Sequence, residues 1–318
     1  MTGLDAPSPA GFGLRTPPVL SRSAVLRDEQ LRTDTARQVA GWSKARLVVV
    51  DERGRTPVAV AADGTATLRT LGTTGDTPPA DAVLLGEADD VAYWGMRGAP
   101  DPAADDPADW QDLRMAGGEL DALGAGLFTS AAAVLTWHDQ ARFCARDGSP
   151  TYPAAAGWHR HCEANGHEEY PRTDPAVICL VHDGADGVLL ARQPVWPVGR
   201  FSVLAGFVEA GESLEACVQR EIHEEVGVDV RDVRYLGSQA WPFPRSLMVG
   251  FHALADRDAP VSPADGEIAE ARWVTRAELR EALEHGDWGG RPGEERPLML
   301  PGRISIARTM LDSWAALD

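Results

Sequence analysis

The chain has 318 residues, enough for two domains of ordinary size, and 44 % of them are hydrophobic, which is sufficient for buried cores. Its 30 basic and 48 acidic side chains give a net charge of -18, which excludes a broad basic surface for duplex nucleic acid. No window approaches the roughly 18 apolar residues of a membrane span, and the N-terminus lacks the apolar run of a signal peptide. We therefore expect a cytoplasmic protein without membrane contact, and its four cysteines should be reduced thiols.

The first part of the chain contains both strand and helix patterns. The proline-rich first 20 residues or so predict a tail or an edge strap. Two apolar runs, Leu47–Val50 and Val58–Val60, flank a turn that contains a glycine, and they predict a β-hairpin. Apolar residues at helical spacing from Asp112 to Gln140 predict one long helix. We expect a first domain over residues 1–140, with strands followed by a helix.

The stretch from Gly206 to Val228, GFVEAGESLEACVQREIHEEVGV, carries six glutamates in 23 residues. No proline lies between Gly211 and Gly227, and apolar residues recur there at intervals of three and four. This pattern predicts an amphipathic helix entered from a glycine loop. Glu221 and Glu225 fall one turn apart on the same face, where two carboxylates repel each other. A divalent cation between them would remove that repulsion.

Written as G-x5-E-x7-R-E-I-x-E-E-x-G-V, this stretch resembles the signature of the Nudix hydrolases. An ordinary acidic surface helix would explain the composition, but not the flanking glycines or the order of the charged residues. The resemblance implies hydrolysis of a diphosphate with Mg²⁺ or Mn²⁺, held mainly by Glu221 and Glu225. It also implies a backbone ligand from Ala205, a further ligand or orienting base in Glu224, and an arginine, Arg220, that fixes a neighbouring carboxylate.

A second motif, SQAWPFPRS, lies downstream at residues 238–246. It resembles the SQPWPFPxS motif of the NADH pyrophosphatases, with alanine in place of the first proline. Its prolines alternate with aromatic residues, which orients the rings for stacking on a nicotinamide or an adenine. The candidate substrate-binding residues of this motif are Gln239, Ala240, Trp241, Pro242, Phe243, Pro244, Arg245 and Ser246.

The resemblance implies further site residues elsewhere in the chain. Tyr170 falls where the family has a substrate-contacting tyrosine, and Arg114 is a candidate for a substrate-contacting arginine. The backbone of Ala307 would help to close the adenosine side. A metal ligand from outside the motif helix is also expected; the position favours Glu267, with Glu270 as the alternative.

Residues 141–172 resemble the zinc ribbon that precedes the Nudix domain in that family. The two cysteine pairs of such a ribbon are reduced here to Cys144-x-x-Asp147 and Cys162-x-x-Asn165. Two thiolates, a carboxylate and a neutral amide are a poor set for tetrahedral zinc, so we expect hairpins without a structural zinc ion. Three nearby histidines could serve as substitute ligands: His159, His161 and His167.

These patterns together predict an α+β chain in three parts. A mixed α/β domain is followed by a degenerate zinc-ribbon-like segment and by a Nudix α/β/α sandwich over residues 173–318. The last helix is expected from about Arg303 to Leu317. The family resemblance also implies a homodimer.

The resemblance implies that the chain hydrolyses the pyrophosphate bond of NADH or NAD to nicotinamide mononucleotide and AMP. The same bond is cut when an NAD cap is removed from the 5′ end of an RNA. Two alternatives remain open. One is a hydrolase of ADP-ribose or another nucleoside diphosphate derivative, and the other is a sensor that binds NAD metabolites without cleaving them.

Overall fold

The structure is a computed structural model that describes residues 12–100, 109–286, 288 and 297–317. The chain divides into two compact units, which are described separately. The N-terminal unit consists of residues 20–173 together with the short segment 241–245. The C-terminal unit consists of residues 1–19, 174–240 and 246–318.

The N-terminal unit is a mixed α/β structure, as the sequence predicts. A four-stranded sheet has the order β4-β1-β6-β5 with β1 parallel to β6, a second sheet has the order β3-β2-β7, and the ribbon hairpins have the order β10-β9-β8. Its strands are β1 Arg46–Val50, β2 Arg55–Val60, β3 Ala66–Leu68, β4 Leu71–Gly72, β5 Val83–Ala88, β6 Val91–Arg97, β7 Trp110–Asp112, β8 Thr151–Ala154, β9 His159–Cys162 and β10 Glu168–Glu169. Its helices are α1 Glu29–Thr33, α2 Thr35–Trp42, α3 Leu113–Ala116 and α4 Ala122–Gln140.

The hairpin predicted from the first two apolar runs is wrong in its pairing, although both strands form. Strand β1 pairs with β4 and β6, whereas β2 pairs with β3 and β7. The side chain of Asp51 accepts the backbone N–H groups of Arg53 and Arg55, and the hydroxyl of Thr56 donates to the carbonyl of Val49. These bonds close the turn, and beyond it the two strands continue into different sheets.

The long helix predicted from Asp112 to Gln140 is interrupted. Strand β7 ends at Asp112, α3 covers one turn, and α4 begins only at Ala122. The break follows from Gly117 and Gly118 and from Asp121, whose carboxylate accepts the N–H of Gly124 at 2.6 Å as a new N-cap. None of the helices within the described ranges is long and apolar enough to cross a bilayer.

The C-terminal unit is the predicted α/β/α sandwich. Its sheet has the order β14-β15-β11-β12-β16, and β13 pairs with β11. One face packs on α5, and the opposite face packs on α6 and α7. Its strands are β11 Asp174–His182, β12 Gly187–Arg192, β13 Leu204–Phe207, β14 Val230–Trp241, β15 Ser246–Ala255 and β16 Glu270–Thr275. Its helices are α5 Leu214–Val226, α6 Arg276–Glu284 and α7 Ile306–Ala315.

The last helix is shorter than predicted because Ser305 caps it. The Ser305 side chain accepts the N–H of Ala307, so α7 begins at Ile306 rather than near Arg303. The N-terminal segment packs on the same unit: the ring of Phe12 lies 4.9 Å from that of His252, centroid to centroid. This contact agrees with an edge strap, while residues 1–11 lie outside the described residues.

Candidate active site

Helix α5 carries the glutamate-rich motif and is held at both ends by local interactions. The Ser213 side chain accepts the N–H of Ala216 at the N-terminus, and Gly227 ends the helix in the left-handed region at φ 70°. The apolar side chains of the helix, including Val218 and Ile222, are buried against the sheet. Burial of this face fixes the rotation of the helix, and with it the direction of the glutamates.

Arg220 is the centre of a hydrogen-bonded ion-pair network. Its guanidinium binds both oxygens of Glu212 at 2.8 and 2.9 Å, and it also donates to Glu221 and Glu224, each at 2.9 Å. A fifth hydrogen bond reaches the carbonyl of Phe207 at 3.0 Å. The contact with Arg220 lowers the pKa of Glu212 to about 2. Arg220 thus lies where the motif predicts, as the partner of neighbouring carboxylates, while Glu212 was not assigned a role from the sequence.

Glu225 is the buried member of the carboxylate cluster. Glu225 is only 8 % exposed, and its Oε2 atom has no hydrogen-bond partner among the described residues. The pKa of Glu225 is raised to about 8, mainly by burial and in addition by the charges of Glu221 and Glu267, while a hydrogen bond with the backbone of Ala205 acts in the opposite direction. The structure therefore brings together Ala205 and three carboxylates that the sequence singled out as metal ligands.

The glycine loop before α5 makes room for this cluster. A Cβ atom on Gly206 would lie 1.9 Å from the carboxyl carbon of Glu221, so only glycine fits there. Burial raises the pKa of Glu221, and the adjacent guanidinium of Arg220 lowers it. Gly206 and Glu212 are the two ends of the G-x5-E part of the motif. In the structure Gly206 lies against Glu221, and Glu212 is hydrogen-bonded to Arg220.

The two candidates for the additional acidic ligand lie in different surroundings. Glu267 belongs to the exposed turn before β16, and its charge acts on Glu225. Glu270 begins β16, where its carboxylate lies 3.7 Å from the guanidinium of Arg192. The geometry favours Glu267, in agreement with the order of preference taken from the sequence; its role as a ligand stays a prediction.

The aromatic motif belongs largely to the N-terminal unit. The rings of Trp241 and Phe243 meet edge to face, with centroids 4.9 Å apart. The guanidinium of Arg114 lies over the Phe243 ring, 4.2 Å from its centroid, which is a cation–π contact. Pro242 is buried and Pro244 is exposed. The structure thus brings Arg114 and the aromatic motif together.

The remaining candidates are spread over both units. The Tyr170 side chain is 57 % exposed, and its hydroxyl donates to the carboxylate of Glu168. In the C-terminal unit, the amide of Gln239 is buried and donates to the carbonyl of Ile304 at 3.0 Å. Ala307 lies in the core, and its backbone N–H donates to the side chain of Ser305, the N-cap of α7. Of the other motif residues, Ala240 lies in β14, Arg245 is half-buried, and Ser246 begins β15.

The ribbon keeps a group of polar side chains at its former cysteine positions. One ligand atom each from Cys144, Asp147 and Cys162 lies within 4.8 Å of the others. The amide nitrogen of Asn165 donates to Asp147 at 2.6 Å and to the Cys144 sulfur at 3.5 Å. Its amide oxygen accepts the backbone N–H of His167 at 2.8 Å, which fixes the orientation of the amide. Cys144, Asp147 and Cys162 thus offer ligand atoms for a cation. At the fourth position, Asn165 presents the N–H group of its amide to them.

Comparison with known families matches three consecutive segments of the chain between residues 35 and 292. The model of the NADH pyrophosphatase-like rudimentary NUDIX domain matches residues 35–137, that of the NADH pyrophosphatase zinc ribbon domain matches residues 139–170, and that of the NUDIX domain matches residues 172–292.

Three relatives illustrate the similarity. The NAD-capped RNA hydrolase NudC of Mycobacterium tuberculosis (strain ATCC 25618 / H37Rv) is 55 % identical over 310 residues, which cover 96 % of this chain and 97 % of that protein. The NAD-capped RNA hydrolase NudC of Stutzerimonas stutzeri (strain A1501) is 41 % identical, covering 68 % and 71 %. The mitochondrial NAD(P)H pyrophosphatase NUDT13 of Mus musculus is 36 % identical, covering 74 % and 71 %.

The sandwich fold and the carboxylate cluster on α5 define the class of the protein as a Nudix hydrolase. Within that class, the chain belongs to the NADH pyrophosphatase family. The predicted fold class and family are therefore confirmed.

Two findings weigh against the expectation that the ribbon holds no structural zinc ion. The family model for a zinc ribbon matches this segment. The ligand atoms of Cys144, Asp147 and Cys162 are also clustered, because the hairpins bring together the turn that begins at Cys144 and the turn that begins at Cys162. His159 and His167, which the sequence offered as substitute ligands, instead lie near Glu168 and Glu169 at 3.9 and 3.2 Å.

Proposed function

We propose that this chain hydrolyses the pyrophosphate bond of NADH or NAD, releasing nicotinamide mononucleotide and AMP. We further propose that it removes NAD caps from the 5′ ends of RNA, because the same bond is cut in both reactions. The observation that carries the proposal is the buried carboxylate of Glu225 beside Glu221 and Glu267. Similarity to relatives named as NAD-capped RNA hydrolases and as an NAD(P)H pyrophosphatase supports the choice of substrate.

The carboxylate cluster fits Mg²⁺ or Mn²⁺. The Oε2 atom of Glu225 is buried and has no hydrogen-bond partner within the part of the chain that the structure describes. Ionisation of this carboxyl group is costly unless a cation compensates the charge. Hard carboxylate oxygens are the ligands that these ions prefer. Glu221, Glu225, Glu267 and the backbone of Ala205 would hold the ion. When bound, it supplies neutralisation of phosphoryl charge and activation of water.

The protein's own side chains contribute orientation and proton control. Arg220 holds Glu221 and Glu224 by hydrogen bonds, so both carboxylates are oriented before substrate binds. The Glu224 side chain is more than half exposed, so water can reach its carboxylate. Glu224 therefore acts either as the base that orients this water or as a further metal ligand. Arg220 also lowers the charge repulsion within the cluster, because it lies among three carboxylates.

The aromatic motif is assigned to the nicotinamide or adenine end of the substrate. Trp241 and Phe243 offer ring surfaces of fixed relative orientation, and the contact with Arg114 holds the Phe243 ring. Tyr170 is assigned as a further substrate contact because its ring is largely exposed. Gln239 anchors the first part of the motif, at the end of β14, through its hydrogen bond to the carbonyl of Ile304.

The proposal includes the three-part division of the chain at residues 1–140, 141–172 and 173–318. The boundaries of the family matches, which fall between residues 137 and 139 and between 170 and 172, support it. A homodimer and a cytoplasmic location remain predictions. Sedimentation equilibrium tests the former, and fractionation of the source cells tests the latter.

A substrate comparison tests the proposed function. Purified protein with Mg²⁺ or Mn²⁺ would be assayed on NADH, NAD, ADP-ribose and an NAD-capped RNA. The control is the same RNA with an uncapped 5′ triphosphate. We expect cleavage of NADH, NAD and the NAD cap, complete loss with chelator, and no reaction on the control RNA. A kcat/KM at least tenfold higher for ADP-ribose would contradict the substrate assignment, and binding without cleavage of any of them would identify a sensor.

A further inference from the structure

The two ribbon cysteines occupy equivalent positions in two facing turns. The carbonyl of Cys144 accepts the N–H of Gly148 at 2.9 Å, and the carbonyl of Cys162 accepts the N–H of Gly166 at 2.8 Å. Strands β8 and β9 are paired in antiparallel register, with Thr151 opposite Cys162. The ribbon hairpins therefore hold the two cysteines together through backbone hydrogen bonds, and this arrangement does not depend on contact between the thiols themselves.

The thiols of this pair are close and shielded. Both cysteines are at least nine-tenths buried, and their sulfur atoms lie within 4.8 Å of each other. The turns that cover them consist largely of exposed residues, so only a thin layer of the protein separates the pair from solvent. A disulfide requires the two sulfur atoms to approach to about 2 Å, so oxidation would draw the two facing turns closer together.

The other two cysteines provide an internal comparison. Cys179 lies in the middle of β11 and Cys217 lies in α5, and both are buried in the core of the C-terminal unit. Burial raises the pKa of the Cys217 thiol to about 12, and it raises that of Cys179 as well. Burial therefore weakens both thiols as nucleophiles, whereas each ribbon cysteine has the sulfur of the other within 4.8 Å.

We propose that Cys144 and Cys162 form an oxidation site that closes to an intramolecular disulfide when the protein meets hydrogen peroxide. One thiolate attacks the peroxide oxygen and becomes a sulfenic acid, with release of the first water after proton transfer. The second thiolate attacks the sulfenic sulfur, forms the disulfide and releases the second water. Two thiols and one hydrogen peroxide thus give one disulfide and two waters.

The oxidised ribbon differs from the reduced ribbon in two ways. The disulfide closes the chain between Cys144 and Cys162, which limits the unfolded ensemble and stabilises the N-terminal unit. It also consumes the two thiolates that, together with Asp147, could hold a cation. Disulfide formation and cation binding at this place therefore exclude each other, and reduction by a dithiol reverses the change.

Peptide mapping of the full chain tests the proposal. Protein of measured metal content would be treated with one equivalent of hydrogen peroxide, alkylated under denaturing conditions and digested with trypsin without reduction. Cleavage after Arg142, Arg146, Arg160 and Arg172 predicts one cross-linked species, residues 143–146 joined to residues 161–172. We expect this species to form first, with Cys179 and Cys217 recovered in alkylated form. Melting of the N-terminal unit should shift upward by roughly 5–10 °C.

The variants Cys144→Ser and Cys162→Ser provide the matched controls, since each leaves one ribbon thiol and both buried thiols. Neither variant should show the oxidation-dependent shift in melting temperature. Recovery of four alkylated thiols after oxidation, a disulfide that involves Cys179 or Cys217, or sulfinic acid without a disulfide would each overturn the proposal. If a serine variant does not fold, the peptide map of the unaltered chain decides alone.

Discussion

The motif helix and the ribbon both carry side chains of metal-binding type, but their hydrogen bonding differs. Arg220 of α5 pairs with three carboxylates, whereas the buried Oε2 atom of Glu225 has no hydrogen-bond partner among the residues that the structure describes. In the ribbon, the Asn165 amide donates to Asp147 and to Cys144, so these groups are hydrogen-bonded among themselves. A buried acceptor without a partner points to a ligand more directly than residue type does, because leaving it unpaired costs free energy.

The largest effect in this comparison is expected from replacement of the Glu225 carboxyl group. Glu225→Gln should lower kcat by about 100-fold or more, equivalent to about 2.7 kcal/mol, because metal coordination weakens while the shape is kept. The same change should raise the melting temperature of metal-free protein, since a buried carboxylate is removed. Glu215→Gln, in an exposed position of the same helix, is the control. A near wild-type rate would exclude Glu225 from the metal site.

A smaller effect separates the two acidic residues near β16. Glu267→Gln should lower kcat by about tenfold, because its charge faces Glu225, whereas Glu270→Gln should change kcat less than about twofold. The carboxylate of Glu270 lies near the guanidinium of Arg192, so the Glu270→Gln substitution should mainly lower the free energy of unfolding. Steady-state kinetics at saturating Mn²⁺ checks both variants. The reverse order of effects would assign the ligand role to Glu270.

The aromatic motif should affect binding rather than chemistry. Trp241→Ala should raise KM for NADH about tenfold with kcat within about twofold, because stacking acts on the ground state and the transition state alike. The control is Tyr235→Ala, which removes an aromatic ring that is 61 % exposed in the same strand, outside the motif. An effect confined to kcat would contradict the stacking role of Trp241.

The smallest effect is expected in the ribbon. Asn165→Ala removes the hydrogen bonds to Asp147 and Cys144, which should lower stability by about 1 kcal/mol and the melting temperature by about 2–4 °C. The value of kcat should not change. Glu163→Ala, exposed in the same turn, is the control for thermal unfolding. A tenfold loss of kcat at an unchanged melting temperature would give the ribbon a catalytic role.

The motif helix could be predicted almost completely, because its determinants are local. Periodicity and the flanking glycines place it between Gly211 and Gly227, and the structure begins it at Leu214, one residue after the Ser213 cap. The spacing within the motif also predicts the one-turn separation of Glu221 and Glu225. The sequence could not show that Glu225 is the buried member of the cluster, because burial depends on the strands packed against α5.

Features that depend on pairing between distant segments were harder to predict. The two strands around Asp51 form, but their partners are set by hydrogen bonds to β4, β6, β3 and β7, which local periodicity does not reveal. The break before α4 was visible in principle as Gly117-Gly118 followed by the Asp121 cap. Apolar spacing on both sides of the break concealed it, because the helical period continues across the gap.

The pH dependence of Mn²⁺ binding tests the account of the α5 site most directly. The pKa of Glu225 is raised to about 8 in the metal-free chain, so a proton must leave before the cation binds. Apparent affinity, measured by calorimetry from about pH 6 to about pH 9, should rise by up to tenfold per pH unit below about pH 8 and then level off. In Glu225→Gln the affinity should be lower and the slope reduced. A wild-type affinity independent of pH, or an unchanged profile in Glu225→Gln, would contradict the account.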